Sequence, residues 1–214
     1  MTMMFCPIPD NHREAVDLDG LSPVMRLLLV NDGTLTELLE AASSDTIAIV
    51  GLDQHMQRAA QRVELLDLDV GEALIDRKIV LRGERSRTHH VYAESLIAID
   101  RLPSPVRHAL LTSNTPIGRL CRQHRLEIFK EIIEFGRQPA GELCRHLPVE
   151  RNAAVLARTC RLSMRGRPVM LIKEYFSPAL EGLAAEADEA AALMPVPRPP
   201  LPPRRLLQEA LAMA

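Results

Sequence analysis

The residues of this 214-residue chain that could do chemistry are charges set singly into apolar stretches. Arg77 interrupts ALIDRKIVL, Glu174 interrupts VMLIKEYF, Glu94 lies in VYAESLIAI, and Arg158 and Arg161 share VLARTCRL. In an extended segment such a charge ordinarily faces water. Turned inward, it requires an opposite partner or a ligand, because unpaired burial costs several kcal/mol. Arginine dominates the cations. Only three lysines (Lys78, Lys130, Lys173) accompany 23 arginines, so the chain is rich in rigid forks that match carboxylates and phosphates.

Other chemistries find no footing. The sequence has no GxGxxG, GxxxxGK[ST], GxSxG or HExxH, which removes the standard nucleotide, acyl-transfer and metallohydrolase patterns. His89-His90 is the one adjacent histidine pair. Neighbouring strand residues point to opposite faces, so a solvated hairpin end is the plainer reading than a shared metal. Cys6, Cys121, Cys144 and Cys160 form no CxxC or CxxH and read as small apolar fillers in a reducing cytosol. A net charge of −2 with 3% aromatics and no Trp lacks the electrostatic and stacking footprint of a nucleic-acid binder. No run approaches the ~18 apolar residues of a bilayer span, and MTMMFCPIPDNHRE lacks the regions of a secretory signal. A cytoplasmic protein with no metal, no nucleic-acid partner and no membrane partner is expected.

The elements that position the charges follow from pattern. At this length, 47% hydrophobic and 25% charged residues fit one globular domain. Residues 1–20 are polar and irregular, an N-terminal arm. The apolar run to Val30 stops at Asn31-Asp32-Gly33, and Thr34 then opens a second periodic segment with Glu37 three residues on, the capping-box pattern. Helix, tight turn, helix is predicted. TIAIVGLDQ, ALIDRKIVLRGE and THHVYAESLIAID read as strands, with Arg77, Ile79 and Leu81 on one face of the second. GERSR (83–87) joins a hairpin, LPSPVRHALLTS reads as a helix, and Thr115-Pro116-Ile117-Gly118 is a tight loop before a short helix. RLEIFKEIIEFGRQ fits both a helix (Ile128, Ile132, Phe135) and a strand (Phe129, Glu131, Ile133). VLARTCRLSMRGRPVMLIKEYF is two strands, and residues 179–214 form an Ala/Glu- and Pro-rich tail with a marginal last helix. The 21–178 core is therefore α+β with antiparallel hairpins, and no βαβ alternation supports a doubly wound sheet.

Five strings then carry a resemblance. LLLVNDGTLTELLE, GEALIDRKIVLRG, VYAESLIAIDRLP, NTPIGRL and GRPVMLIKEYF occur in this order in the chorismate pyruvate-lyase (4-hydroxybenzoate synthase) family. The chain resembles the actinobacterial branch over residues 21–178. The resemblance implies a single-domain, six-stranded antiparallel sheet with helices packed on one side, RLEIFKEIIEFGRQ being a strand. It implies a carbon–oxygen lyase that eliminates pyruvate from chorismate, leaves 4-hydroxybenzoate, and uses no metal or organic cofactor. Arg77 matches the strand arginine that grips the ring carboxylate, and the amides of Gly33 and Ile117 complete its cradle. Glu174 matches the glutamate that contacts the ring hydroxyl and takes part in proton movement. The carboxylate on the enolpyruvyl arm also needs a cation, and Arg158 and Arg161 are the candidates. Met170, Leu171 and Phe176 read as core. Gly33 stands where proteobacterial members carry methionine. The Pro168–Glu174 spacing is one residue longer than theirs, which a β-bulge must absorb if Glu174 is to keep its place.

A lyase serving quinone, glycolipid or other phenolic biosynthesis is the expected function. One alternative is a lyase on a modified chorismate, or one yielding another hydroxybenzoate. Another is a catalytically silent small-molecule-binding domain of the kind found in transcription regulators, although about 20 residues ahead of the match are few for a winged helix. Oligomeric state is not legible.

Overall fold

The computed structural model describes residues 16–183. Most of the expected N-terminal arm with Cys6, and the Pro-rich tail with its last helix, lie outside these residues. Helix α1 (Pro23–Val30) starts where the Ser22 hydroxyl accepts the Met25 amide at 3.2 Å, with Pro23 in the first turn, where no amide is needed. Helix α2 (Leu35–Ser43) begins after Thr34 as the pattern predicts, yet the capping box does not form. Thr34 makes no capping bond, and Glu37 pairs with Arg122 instead. Helix α3 (Ser104–Thr112) starts at the predicted prolines, and α4 (Ile117–Gln123) is the expected short helix but begins inside the stretch read as a loop.

Six strands, β1 (Ile47–Arg58), β2 (Ala73–Gly83), β3 (His89–Ile97), β4 (Ile128–Pro139), β5 (Ala154–Met164) and β6 (Arg167–Phe176), form one antiparallel sheet. Their order is β1-β2-β3-β6-β5-β4, so the last strand returns to the middle. The segment that fitted helix and strand alike is β4, and a bulge explains the ambiguity. Pairing with β5 slips between Ile132 and Glu134, which reverses the alternation there. Ile128, Ile132 and Phe135 consequently share one face of a strand at a spacing that imitates a helix.

All four helices cover one face. α1 and α2 pack on Ile79, Leu81, Val91 and Phe176, and α3 and α4 on Ile75, Ile97, Leu162 and Met170. Leu28, Leu29 and Leu39 are fully buried there, each contributing roughly 1.5–3 kcal/mol by leaving water. The opposite face is not bare. Short turns at Glu64–Leu66 and Gly141–Arg145 bring Leu66 and Leu68 against Leu171, and Leu143 and Leu147 against Val80 and Tyr175.

Two further irregularities bear on the site. Between β5 and β6, Leu162 pairs with Met170 and Ser163 with Pro168, so Val169 is the extra residue that the longer spacing requires. Between β2 and β3, Leu81 pairs with Val91 and Arg82 with His89, leaving His90 as the extra residue. His90 is buried with both ring nitrogens unpartnered, so the expected solvated hairpin end holds at most for His89. Among the described residues no helix is long and apolar enough to cross a membrane.

Candidate active site

Strand register sets the chemistry in two adjacent rows beneath the helices. One row runs Arg77, Ser95, Ile172, Cys160; the next runs Ile79, Ala93, Glu174, Arg158, Phe135. Above them lies a cavity of about 320 Å³, at the small end of the range for ligand pockets. Its floor includes Ile79, Ala93, Ser95, Ile172 and Glu174. Asp32–Thr36 and Pro116–Gly118 roof it, and Ile128 and Lys130 of β4 wall one side. The roof is clasped by Arg119 to Glu40 at 2.8 Å and by Arg122 to Glu37.

Arg77 is 0% exposed, which overturns the ordinary expectation that such a charge faces water. Its two terminal nitrogens donate to Gln54 Oε1 at 2.8 Å and to the Thr115 carbonyl at 3.2 Å. Its Nε is buried without a partner. Both partners are neutral, and burial alone pulls its pKa down to about 10. The side chain stands behind the cavity wall: Ser95 opposite it and Ile79 beyond it line the cavity, as does Pro116, next to the carbonyl it binds.

Arg158, equally buried, is occupied differently. Its Nε donates to Glu174 Oε2 at 2.5 Å, and Nη1 donates to the carbonyls of Leu28, Leu29 and Asn31 at the end of α1. Burial opposes this charge, but Glu174 beside it holds the guanidinium above the ordinary arginine range. Arg158 thus braces Glu174 against the helix that leads into the roof. Arg161, the other arginine considered for the enolpyruvyl arm, occupies the opposite face of β5 and pairs with Glu131 at 2.6 Å. Glu94 also lies on that far face, where it accepts the Tyr92 hydroxyl at 3.1 Å.

The two loop positions both reach the cavity. The Gly33 amide donates to Asn31 Oδ1 at 3.0 Å, so a ligand carboxylate must displace that side chain to use it. Ile117 opens α4, where a first-turn amide has no intrahelical acceptor. Gly118 follows because a Cβ there would fall 2.8 Å from Thr34 Cγ2, and its absence lets α4 press against the roof.

Sequence reasoning missed two residues. Gln54 is a neutral side chain on an edge strand and carries no signal of the clamp it forms on Arg77. Lys130 was hidden by the doubtful nature of β4, although alternation with Ile128 and Ile132 would have marked it once the strand was known. Its Nζ donates to the Gly33 carbonyl at 3.2 Å. Burial pushes its pKa down, and Glu174 and Asp32 act in the other direction. Cys121 also lines the cavity, but burial raises its thiol to about 11, so it offers no thiolate at neutral pH.

Comparison with known proteins bears on the family and the fold. The family described as Chorismate pyruvate-lyase Rv2949c-like matches residues 29–184. The chorismate pyruvate-lyase of Mycobacterium tuberculosis (strain H37Rv) is 32% identical over 166 residues, 75% of this chain and 82% of that protein. That of Mycobacterium leprae is 31% identical over 155 residues, 71% of this chain and 73% of the other. Among solved structures, the effector domain of PhnF from Mycobacterium smegmatis superposes with a TM-score of 0.53 at 13% identity, over 70% of this chain and 91% of that one. The ligand-binding domain of a GntR-family regulator from Bordetella bronchiseptica gives 0.51 at 15% identity, over 63% and 86%. These structural likenesses concern the fold alone. With most of its length matched by one family, the chain belongs to the Rv2949c-like family of chorismate pyruvate-lyases.

Proposed function

We propose that the protein eliminates pyruvate from chorismate and releases 4-hydroxybenzoate. The observation that carries this reading is Arg77, a fully buried cation whose partners are both neutral, placed beside a small cavity. Two neutral acceptors offset only part of the cost of desolvating this charge, so it gains most when an anion arrives, and a ring carboxylate suits the guanidinium N–H groups that those acceptors leave free. The amides of Gly33 and Ile117 border the same cavity and would complete the carboxylate's hydrogen bonds.

Glu174 stands in the next row of the sheet, where the far end of a ring held at Arg77 would lie. In the reaction the ether C–O bond breaks, enolpyruvate leaves, and the ring carbon bearing the hydroxyl loses its proton as the ring aromatises. The departing enol then gains a proton at its methylene carbon and becomes pyruvate. Glu174 accepts the ring hydroxyl and assists that proton movement. Arg158 fixes the carboxylate's position and orientation.

Purified protein incubated with chorismate should release pyruvate together with one aromatic product, identified by chromatography as 4-hydroxybenzoate. Pyruvate no faster than spontaneous breakdown would overturn the reading and favour a silent binding domain. Pyruvate with a different hydroxybenzoate would correct the product.

A further inference from the structure

The lyase reading leaves one charge unaccounted for. Chorismate carries a second carboxylate on its enolpyruvyl arm, and 4-hydroxybenzoate does not. We propose that Lys130 holds this arm carboxylate, which makes the cavity a site for a dicarboxylate with Arg77 behind the wall at one end and Lys130 lining the other. The inference rests on the lyase reading.

The cations near the cavity can be compared by what already occupies them. Arg158 is taken by Glu174 and by the carbonyls that end α1. Arg122 pairs with Glu37 and is mostly exposed. Arg161 lies on the other face with Glu131. Lys130 borders the cavity, and its hydrogen bond goes to a neutral carbonyl, that of Gly33.

Position argues for the same residue. Arg77 on β2 and Lys130 on β4 face the same side of the sheet, with β3, β6 and β5 between them. Four strand intervals amount to about 19 Å. Two long side chains leaning inward shorten that span toward the length of one small ligand. Glu174 lies on β6, midway between them. A ring anchored by its carboxylate at Arg77 presents its hydroxyl to Glu174, and the arm on the adjacent carbon then extends toward β4 and Lys130. After the C–O bond breaks, the arm carboxylate leaves with pyruvate. The aromatic product keeps only the contacts at the Arg77 end, so Lys130 favours substrate over product.

The test separates this role from that of a mere strut under the Gly33 loop. In Lys130→Gln, KM for chorismate should rise about 10- to 100-fold, the range of one charge-assisted hydrogen bond. The Kd for 4-hydroxybenzoate, measured by calorimetry, should change less than about twofold, and Lys130→Arg should recover most of the loss. Equal weakening of both ligands would make Lys130 a strut and overturn the proposal, as would no change in either. If Lys130→Gln does not fold, a second measurement uses the wild-type protein. It should bind 3-(carboxymethoxy)benzoate more tightly than 3-methoxybenzoate, with a preference that shrinks in salt. Equal binding of the two overturns the proposal without a variant. Failure of the lyase reading is distinct, because there the wild-type protein releases no pyruvate at all.

Discussion

Two buried arginines on one face of the sheet illustrate what burial can and cannot mean for a single residue. Arg158 has a carboxylate and three carbonyls, whereas Arg77 has an amide oxygen and one carbonyl. Arg158→Met should therefore lower stability by about 3–5 kcal/mol, because it strands Glu174 without its counter-charge. Arg77→Met removes a desolvated cation that no acid balances, so the melting temperature should not fall. Binding of chorismate and 4-hydroxybenzoate should nevertheless drop together by about two to three orders of magnitude. A melting temperature several degrees below wild type would mean that Arg77 serves the fold. Glu174→Gln keeps size and the capacity to bond a hydroxyl, so the Kd for 4-hydroxybenzoate should move little while kcat falls about 10²-fold or more. Equal losses in both would leave Glu174 as a positioning group. Arg77 and Glu174 stood out in the sequence together with Glu94, Arg158 and Arg161 as charges in apolar runs, and only the resemblance set those two apart. The partnership of Arg158 with Glu174 was not legible, since it depends on which residues of β5 and β6 face one another.

At the scale of elements, the roof of the cavity depends on a contact too close for any side chain but hydrogen. Gly118→Ala should push the start of α4 off Thr34 at a cost of about 1–3 kcal/mol, and substrate affinity should weaken because the roof no longer seats on the sheet. Thr34→Ser deletes the obstructing methyl, so the double variant should regain most of the affinity in the same titration. No recovery would show that the glycine matters for another reason. Strands and helices were mostly readable from alternation and proline placement. The bulge in β4 was not, because it gives a strand the apolar spacing of a helix. Glu37 was read as a cap, yet tertiary structure offers it Arg122, and a charged partner across the roof displaces the local bond.

For the molecule as a whole, the proposed role of Arg77 links ligand to fold through the charge that folding buries. Because the cavity forms only in the folded chain, 4-hydroxybenzoate at a hundredfold excess over its Kd should stabilise the protein by about 2.7 kcal/mol. Differential scanning calorimetry should show the corresponding rise in melting temperature, and Arg77→Met should abolish it. A rise of equal size in that variant would place the ligand elsewhere. The resemblance implied six antiparallel strands but their order was not read, since hairpin signals do not say that β6 returns between β3 and β5. Val169 has a consequence for comparing such chains. Counted from Pro168 without a gap, the relatives with the shorter spacing set their glutamate against Lys173, a residue of the opposite face that pairs with Glu94 and Thr159. An alignment that opens its gap at Val169 restores the acid to its column, whereas one that does not would score this enzyme as having lost it.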